Sequence, residues 1–595
     1  MNGIENFIHP SLGFFILALV MPFLKPEGHK VWRWLLPMPP LVALVLVLTM
    51  PQGLFGGHDY LGTRLVVGRV DALSIVFAHI FAIQALLGMI FSLHVEDRAQ
   101  HSASCFYVGG AFGCVFAGDY VTLFIFWEMM AVASTFLVWL NRTPKSSAAG
   151  FRYLLFHILG GVFLLAGLLL RYQALGTFAF TPVAPASAQM YDWLILLGFA
   201  VNAAVVPLHA WLPDAYPEAT VTGAVFMSAF TTKTAVYVLA RGFSGFEILG
   251  IMGVVMTIYG AAFATIENNA RRILAYHIVS QVGYMVAGIG IGTAMTVNGA
   301  CAHAYAHILY KGLLFMAAGC ILYSTGTAKL SELGGLAYKL PWVMFLYMVA
   351  AVSISGWPLF NGFISKNMTI TGAAEAHHAW LAMGMEIAAV GTFLSVGIKL
   401  PYFAFFHGKD YDKPVKPIPW NMMAAMAGAA FLCFFIGVYP HYLYRLLPFE
   451  VEYVPYTAWQ VTQSLLLLSF TGLAFYLMRV VIKPKAKLNM DFDFFYRLSG
   501  RLGLGFARVF LARVDNWWTD AYRRLGLSGM LLAARSSRWF DENAIDGVVD
   551  GTARSVLGVG GGFSRLETGR LTDYIGMALL LGAGAFVGYY FLFGA

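Results

Sequence analysis

The chain reads as an all-α polytopic membrane protein of about sixteen spans, and three observations lead there. Hydrophobic residues make up 59% of it and charged residues only 11%, with a mean hydropathy of +0.71. Globular domains carry roughly a quarter of charged residues. About sixteen apolar stretches follow one another, most of them near the ~20 residues that cross a hydrocarbon core of ~30 Å. Ionisable residues lie inside several of these stretches, where each costs about 2.5 to 3.5 kcal/mol on insertion scales and must pair, face water or serve transport.

The first stretch, Leu12 to Leu24, lacks a basic leader and runs into Lys25 and Pro26 instead of a small-residue cleavage site, so a retained span is expected. The net charge of +8 is spread over loops, which argues against nucleic acid as a partner. Topology accounts for it better. With the amino terminus outside, alternate connections carry Lys25, Lys30 and Arg33, then Arg142, Lys145 and Arg152, then Arg271 and Arg272, then Lys329 and Lys339. Lys409, Lys413 and Lys416 follow, then Arg479, Lys483, Lys485 and Lys487. All would face the cytoplasm, with Arg64, Arg69, Arg171 and Arg241 as exceptions. The five cysteines stand singly in apolar stretches, and no glycine-rich phosphate loop opens a strand-helix unit. No cofactor, metal or redox centre is expected in this chain, so any coupled electron chemistry would belong to a partner.

Five regions follow from pattern: 1–103 with three spans, a dense core over 104–410, accessory spans over 411–482, an amphipathic insert over 483–571, and a last span over 572–595. The core echoes itself. Phe156-His157-Ile158-Leu159 returns as Ala306-His307-Ile308-Leu309, Val206-Pro207-Leu208-His209 as Trp357-Pro358-Leu359-Phe360, and Lys233 as Lys399. Two inverted five-helix repeats, each with a broken helix, are the architecture that binds ions near the midplane. In the insert, aromatic and aliphatic residues such as Phe494, Phe506, Trp517 and Leu531 alternate with Arg497, Arg508, Arg513, Arg524 and Arg535. That pattern predicts a lateral helix on the membrane surface, with Gly500, Gly503, Gly505 and Gly526 marking breaks or close packing on a partner.

The candidate working residues are Glu128, Lys233, His303, His307, Lys311, Lys366 and Lys399. His303, His307 and Lys311 recur at intervals of four, on one face of a helix. Buried lysine is the cation whose proton is most easily tuned, and a set of such groups on successive spans suits proton exchange through water. Blander roles exist for each: His157 and His209 as helix-helix hydrogen-bonding residues, Glu128 in a static pair, Lys399 snorkelling near Pro401. Pro207 and Pro213, and Gly356, Pro358 and Gly362, interrupt two spans, and the freed carbonyls need protein or a wet cavity.

Three runs now carry a resemblance: PLHAWLPDAYPEATVTGAVFMSAFTTKTAVYVLAR from Pro207 to Arg241, HAYAHILYKGLLFMAAG from His303 to Gly319, and GWPLFNGFISK from Gly356 to Lys366. Over residues of about 70 to 410 the chain resembles the proton-conducting antiporter-like subunits of Mrp-type sodium/proton antiporters and of the complex I membrane arm, nearest to the D-type Mrp component. The end, FDENAIDGVVDG from Phe540 and SRLETGRLTDY to Tyr574, is similar to the L-type component of complex I, in which a lateral helix precedes the last span.

The resemblance implies a proton or sodium/proton translocating subunit of a multisubunit complex, with other membrane subunits as partners and the lateral helix against a neighbour. A bacterial inner membrane is the expected location. Glu128 matches the family glutamate of the fifth span, Lys233 the lysine of the eighth, His303, His307 and Lys311 those of the eleventh, and Lys366 that of the twelfth. The lysine expected to pair with the glutamate falls on Asn202, so the first half-path lacks its cation unless Lys233 or another chain supplies it. The competing readings are a pump subunit coupled to redox partners, as in an NADH:quinone oxidoreductase-like complex, and an inactive scaffold.

Overall fold

The computed structural model describes residues 7–24, 30–60, 62–408, 411–485 and 490–594. Lys25, Lys409 and Lys487, counted above among cytoplasmic cations, lie outside them. The chain forms two units, Met1–Asp493 and Phe494–Ala595. Twelve helices among the described residues are long and apolar enough to cross a membrane, and Leu12–Phe23, Met190–Asn202 and Pro341–Ser355 are shorter apolar helices.

In the first unit, α1 (Leu12–Val20) and α2 (Met38–Thr49) lead to an antiparallel hairpin of β1 (Gly53–Tyr60) and β2 (Thr63–Val70), paired from Gly53↔Val70 to Tyr60↔Thr63. The hairpin is the departure from a wholly helical expectation. It sits at one end of the bundle, where Gly118 N–H donates to Val66 O and Val66 N–H to Asp119 Oδ2. Next come α3 (Ala72–Ser92), α4 (Arg98–Phe116), α5 (Tyr120–Trp139) and α6 (Pro144–Leu175). A broken pair, α7 (Met190–Asn202) and α8 (Trp211–Ala215), precedes a second, α9 (Val221–Met227) and α10 (Thr231–Gly242).

The second half of the core repeats the plan with α11 (Glu247–Ile266), α12 (Ala270–Ile291) and α13 (Ala294–Thr325). The broken pair α14 (Pro341–Ser355) and α15 (Asn361–Glu375) follows, then α16 (Ala379–Thr392), which widens into a π turn over Phe393–Lys399. Then α17 (Trp420–Val438), a short α18 (His441–Tyr444) and α19 (Ala458–Met478) flank the core.

Local chemistry marks the duplication more firmly than the short echoes do. Helix α6 begins after Thr143 and ends at the left-handed Gly176; α13 begins after Thr293 and ends at the left-handed Gly326, an offset of 150 at both ends. The isolated bridge Asp119↔Ala179 returns at the same offset as Asn269↔Lys329. These two bridges lie at opposite ends of the bundle. The first end is tied to the finish of α10, where Val183 N–H donates to Gly242 O, and the second to the start of α9, where Arg271 Nη2 donates to Thr220 O. A span has its two ends on opposite faces, so the repeats are inverted.

In the second unit, helix is unbroken from α20 (Asp493–Phe506) through α21 (Ala512–Ala521), α22 (Ser528–Phe540) and α23 (Asp546–Ser564), joined by π turns at Ala507–Leu511, Tyr522–Leu527 and Asp541–Ile545. The glycines therefore do not break it. A methyl group added at Gly500, Gly503 or Gly505 would meet nothing among the described residues. At ~1.5 Å per residue this helix runs for roughly 100 Å. An apolar helix, α24 (Leu571–Phe593), ends the chain.

Candidate functional site

The interrupted helices place cations at the interruptions. Between α9 and α10 the chain leaves carbonyls without helical donors, and Lys233, wholly buried, gives its ammonium to Ser228 O at 2.6 Å and Thr232 Oγ1 at 3.1 Å. At the break between α14 and α15, Lys366 Nζ donates to Ile354 O at 2.8 Å and stands 5.2 Å from the centre of the Tyr284 ring. Each lysine satisfies carbonyls that would otherwise be orphaned at membrane depth.

Between these two lysines lies the face of α13. His303, His307 and Lys311 are all wholly buried. His303 Nδ1 is 3.2 Å from Ser365 Oγ, beside Lys366, and its Nε2 is 3.4 Å from the Tyr310 hydroxyl. Tyr310 reaches Gln281 at 3.5 Å, and Gln281 donates to Thr392 at 3.3 Å. Lys311 Nζ and both ring nitrogens of His307 find no hydrogen-bond partner among the described residues. Gln84, on α3, lies against Gly312 with its amide likewise unpartnered. Buried polar atoms of this kind require water or exchange with a neighbour. Lys233 and Lys366 lie close enough to Lys311 and His307 for their charges to act on one another.

The structure thus brings together Lys233, His303, His307, Lys311 and Lys366. Lys399 has a different setting: from the π turn, its ammonium donates to Thr265 O and Glu267 O, both at 2.7 Å, closing the end of α11. Glu128 is also set apart. Its Oε1 is without a hydrogen-bond partner among the described residues and rests against Gly161. It borders a mostly apolar cavity of about 630 Å³ with Phe106, Met129 and Phe136. Lys233 does not supply its missing cation, being committed to Ser228 and Thr232. Asn202 is wholly buried, and both its amide atoms are without a partner among the described residues.

Two further buried polar groups, one beside the site and one apart from it, are not among the expected residues. His277 on α12 bonds Ser395 Oγ at 2.6 Å, and the same signal that marks Lys311 marks it, an ionisable residue inside an apolar run. Asp491, just before α20, carries no such signal. It is buried against the α7–α8 break, with His209 Nε2 3.3 Å from its Oδ1, while Tyr259 donates to Oδ1 and Tyr276 to Oδ2 at 2.6 Å. Burial alone would push its carboxyl up, but these donors, led by His209, hold it well below the usual carboxylate range. His209 is thereby a structural partner of the segment that enters the insert.

Fold and site define an integral membrane protein: an inverted-repeat core with helix breaks, and ionisable side chains collected on one buried face. Residues 117–395 match the NADH:quinone oxidoreductase/Mrp antiporter transmembrane family. The chain is 30% identical over 492 residues to the A-type component of a Na(+)/H(+) antiporter of Alkalihalophilus pseudofirmus, covering 72% of this chain and 60% of that one. It therefore spans less than two thirds of that relative. Against the D-type component of a Na(+)/H(+) antiporter of the same organism it is 29% identical, covering 57% of this chain and 71% of the relative. Among solved structures, a chain of the archaeal membrane-bound sulfane sulfur reductase shares the fold, with a TM-score of 0.68 at 22% identity over 89% of this chain and 99% of that one.

Proposed function

We propose that this chain is a proton-translocating, antiporter-like subunit of a multisubunit membrane complex, and that protons, or sodium against protons, move through its second repeat. One observation carries the reading: Lys311 and His307 stand unpartnered, among the described residues, between the carbonyl-held Lys233 and the Lys366–Ser365–His303 group. An ammonium held by few fixed oxygens at membrane depth gives up its proton to a neighbour more readily than one locked in an ion pair. The order of travel is Lys233, then Lys311 with His307, then His303 with Ser365 and Lys366. Glu128 and Lys399 lie outside that sequence, as an incomplete entry and a helix cap. Partners follow from relatives that are named as components of larger antiporters, and the lateral helix is the surface best suited to clamp one.

The test uses the complex purified with its natural partners and sealed into liposomes, with proton entry driven by an imposed potential. Lys311→Ala or Lys366→Ala should lower flux by roughly 10²-fold or more, the range of a positioned proton-transfer group, while the complex assembles in normal yield. Wild-type flux in both variants would overturn the proposal.

A further inference from the structure

Lys366 has two sides. On one, its chain neighbour Ser365 lies 3.2 Å from His303 Nδ1; the other lines a cavity of about 50 Å³ with Glu386 of α16 and with Gln460, Gln463 and Ser464 of α19. About 10 to 15 Å³ of such space holds one water, so this cavity has room for several. Glu386 Oε1 accepts a hydrogen bond from Gln463 Nε2 at 2.6 Å, and Asn367, next to Lys366, lies 3.4 Å from Ser464 Oγ. Tyr284, whose ring lies under Lys366, donates its hydroxyl to Met385 O at 2.5 Å and so ties the residue preceding Glu386 to the same place.

A second cavity adjoins it. Thr371 and Gln460 line both, and the second, of about 650 Å³, is bordered by Glu375, Glu450 and Glu452. That second cavity lies at the end of α13 near Met295 and Asn298, the opposite end from the Asn269↔Lys329 bridge. Three carboxylates at a mouth of this kind favour cations near it. Helix α19 is otherwise mostly exposed on its outer surface, yet it turns three polar side chains inward at this one level.

We propose that Glu386 is the proton-carrying residue that receives from Lys366 and releases into the acid-lined outer cavity, with α19 forming one wall of this exit. In the step, an N–H bond of the Lys366 ammonium breaks and, through cavity water, an O–H bond forms on the Glu386 carboxylate. The proton then leaves to water in the outer cavity and the carboxylate is restored. On this reading the accessory span is part of the path. The inference rests on the conduction proposed above, and its test separates the two.

In the liposome measurement with the complete complex, Glu386→Gln keeps the shape and the hydrogen bond to Gln463 but carries no proton, and flux should fall roughly 10²-fold. Glu386→Asp should retain most of the flux. The double variant Glu386→Gln with Gln463→Glu, which moves the carboxyl across the same hydrogen bond, should recover much of it. Wild-type flux in Glu386→Gln beside a silent Lys366→Ala would overturn the exit and leave the conduction standing. An equal loss in Glu386→Gln and in the double variant would also overturn it, since a carboxyl restored across the same hydrogen bond would then carry no proton. Wild-type flux in Lys366→Ala would overturn the exit, and wild-type flux in Lys311→Ala as well would remove the conduction with it.

Discussion

Helices α6 and α13 begin, end and cap alike 150 residues apart, yet the apolar window of α6 is 39% buried and that of α13 is 94% buried. At the same offset His157 answers His307, Tyr153 answers His303, and Gly161 answers Lys311. On the neighbouring helix Glu128 answers Ile278. The charge has therefore changed helices between the repeats. In the first, Glu128 reaches across from α5 and rests on the space left by Gly161; in the second, Lys311 fills that space itself and α12 presents an apolar residue. His157 gives its Nδ1 to Tyr153 O and stacks on that ring, whereas both nitrogens of His307 are unpartnered among the described residues. Duplication preserves what the backbone needs. It leaves the chemistry free to concentrate in the copy that the rest of the bundle buries.

Unequal halves should give unequal losses. Glu128→Gln should cost far less flux than the roughly 10²-fold fall expected at Lys311, measured in the same liposomes. A comparable fall would make the halves functional equals. Asn202→Lys sharpens the point, because it places a cation where the resemblance leads one to expect the partner of Glu128. Flux should rise, and Glu128→Gln in that background should become costly. If neither changes, the first repeat is a brace for the second.

Packing offers a smaller and more local break in the comparison. A methyl group at Gly161 would fall well inside contact distance of Glu128 Oε1. Gly161→Ala should therefore push the flexible Glu128 carboxyl toward the cavity it borders, and the loss of stability, read from the midpoint of thermal unfolding, should stay below the ~1 to 3 kcal/mol of overpacking a closed site. Flux through the second repeat should persist. A loss of flux matching Lys311→Ala would show that Glu128 feeds the same path.

The unevenness also explains what was legible in sequence. Intramembrane cations are costly, so Lys233, Lys311 and Lys366 stand out against their apolar surroundings, and His277 and Glu386 follow the same rule. The duplication shows in sequence only as short echoes, because the bridges and caps that establish it depend on single residues such as Asp119 and Asn269. Asp491 was invisible: its hydroxyl partners are 215 and 232 residues away, and a carboxylate beside a basic insert reads as solvated. The hairpin was hidden for a different reason. The run GLFGGHDY of β1 lacks the β-branched alternation that marks a strand, and its place is set by pairing with β2 and by Asp119. The three π turns of the long helix keep it continuous where glycine content suggested breaks.

The smallest expected effect tests the half of the comparison in which the repeats agree. Thr143 accepts from Ser146 N–H at the start of α6, and Thr293 from Thr296 N–H at the start of α13, at 3.0 and 3.2 Å. Each satisfies one of the donors a helix leaves open at its first turn, and removing such a cap costs about 1 kcal/mol. Thr143→Ala and Thr293→Ala should lower the unfolding midpoint by similar amounts and leave flux per assembled complex unchanged. The symmetry of the response is the informative part, since the caps belong to the inherited backbone and Lys311 does not. If Thr293→Ala alone reduced flux, the position of α13 along its axis would be part of the conduction machinery, and the separation of scaffold from chemistry drawn between the two repeats would fail at that helix.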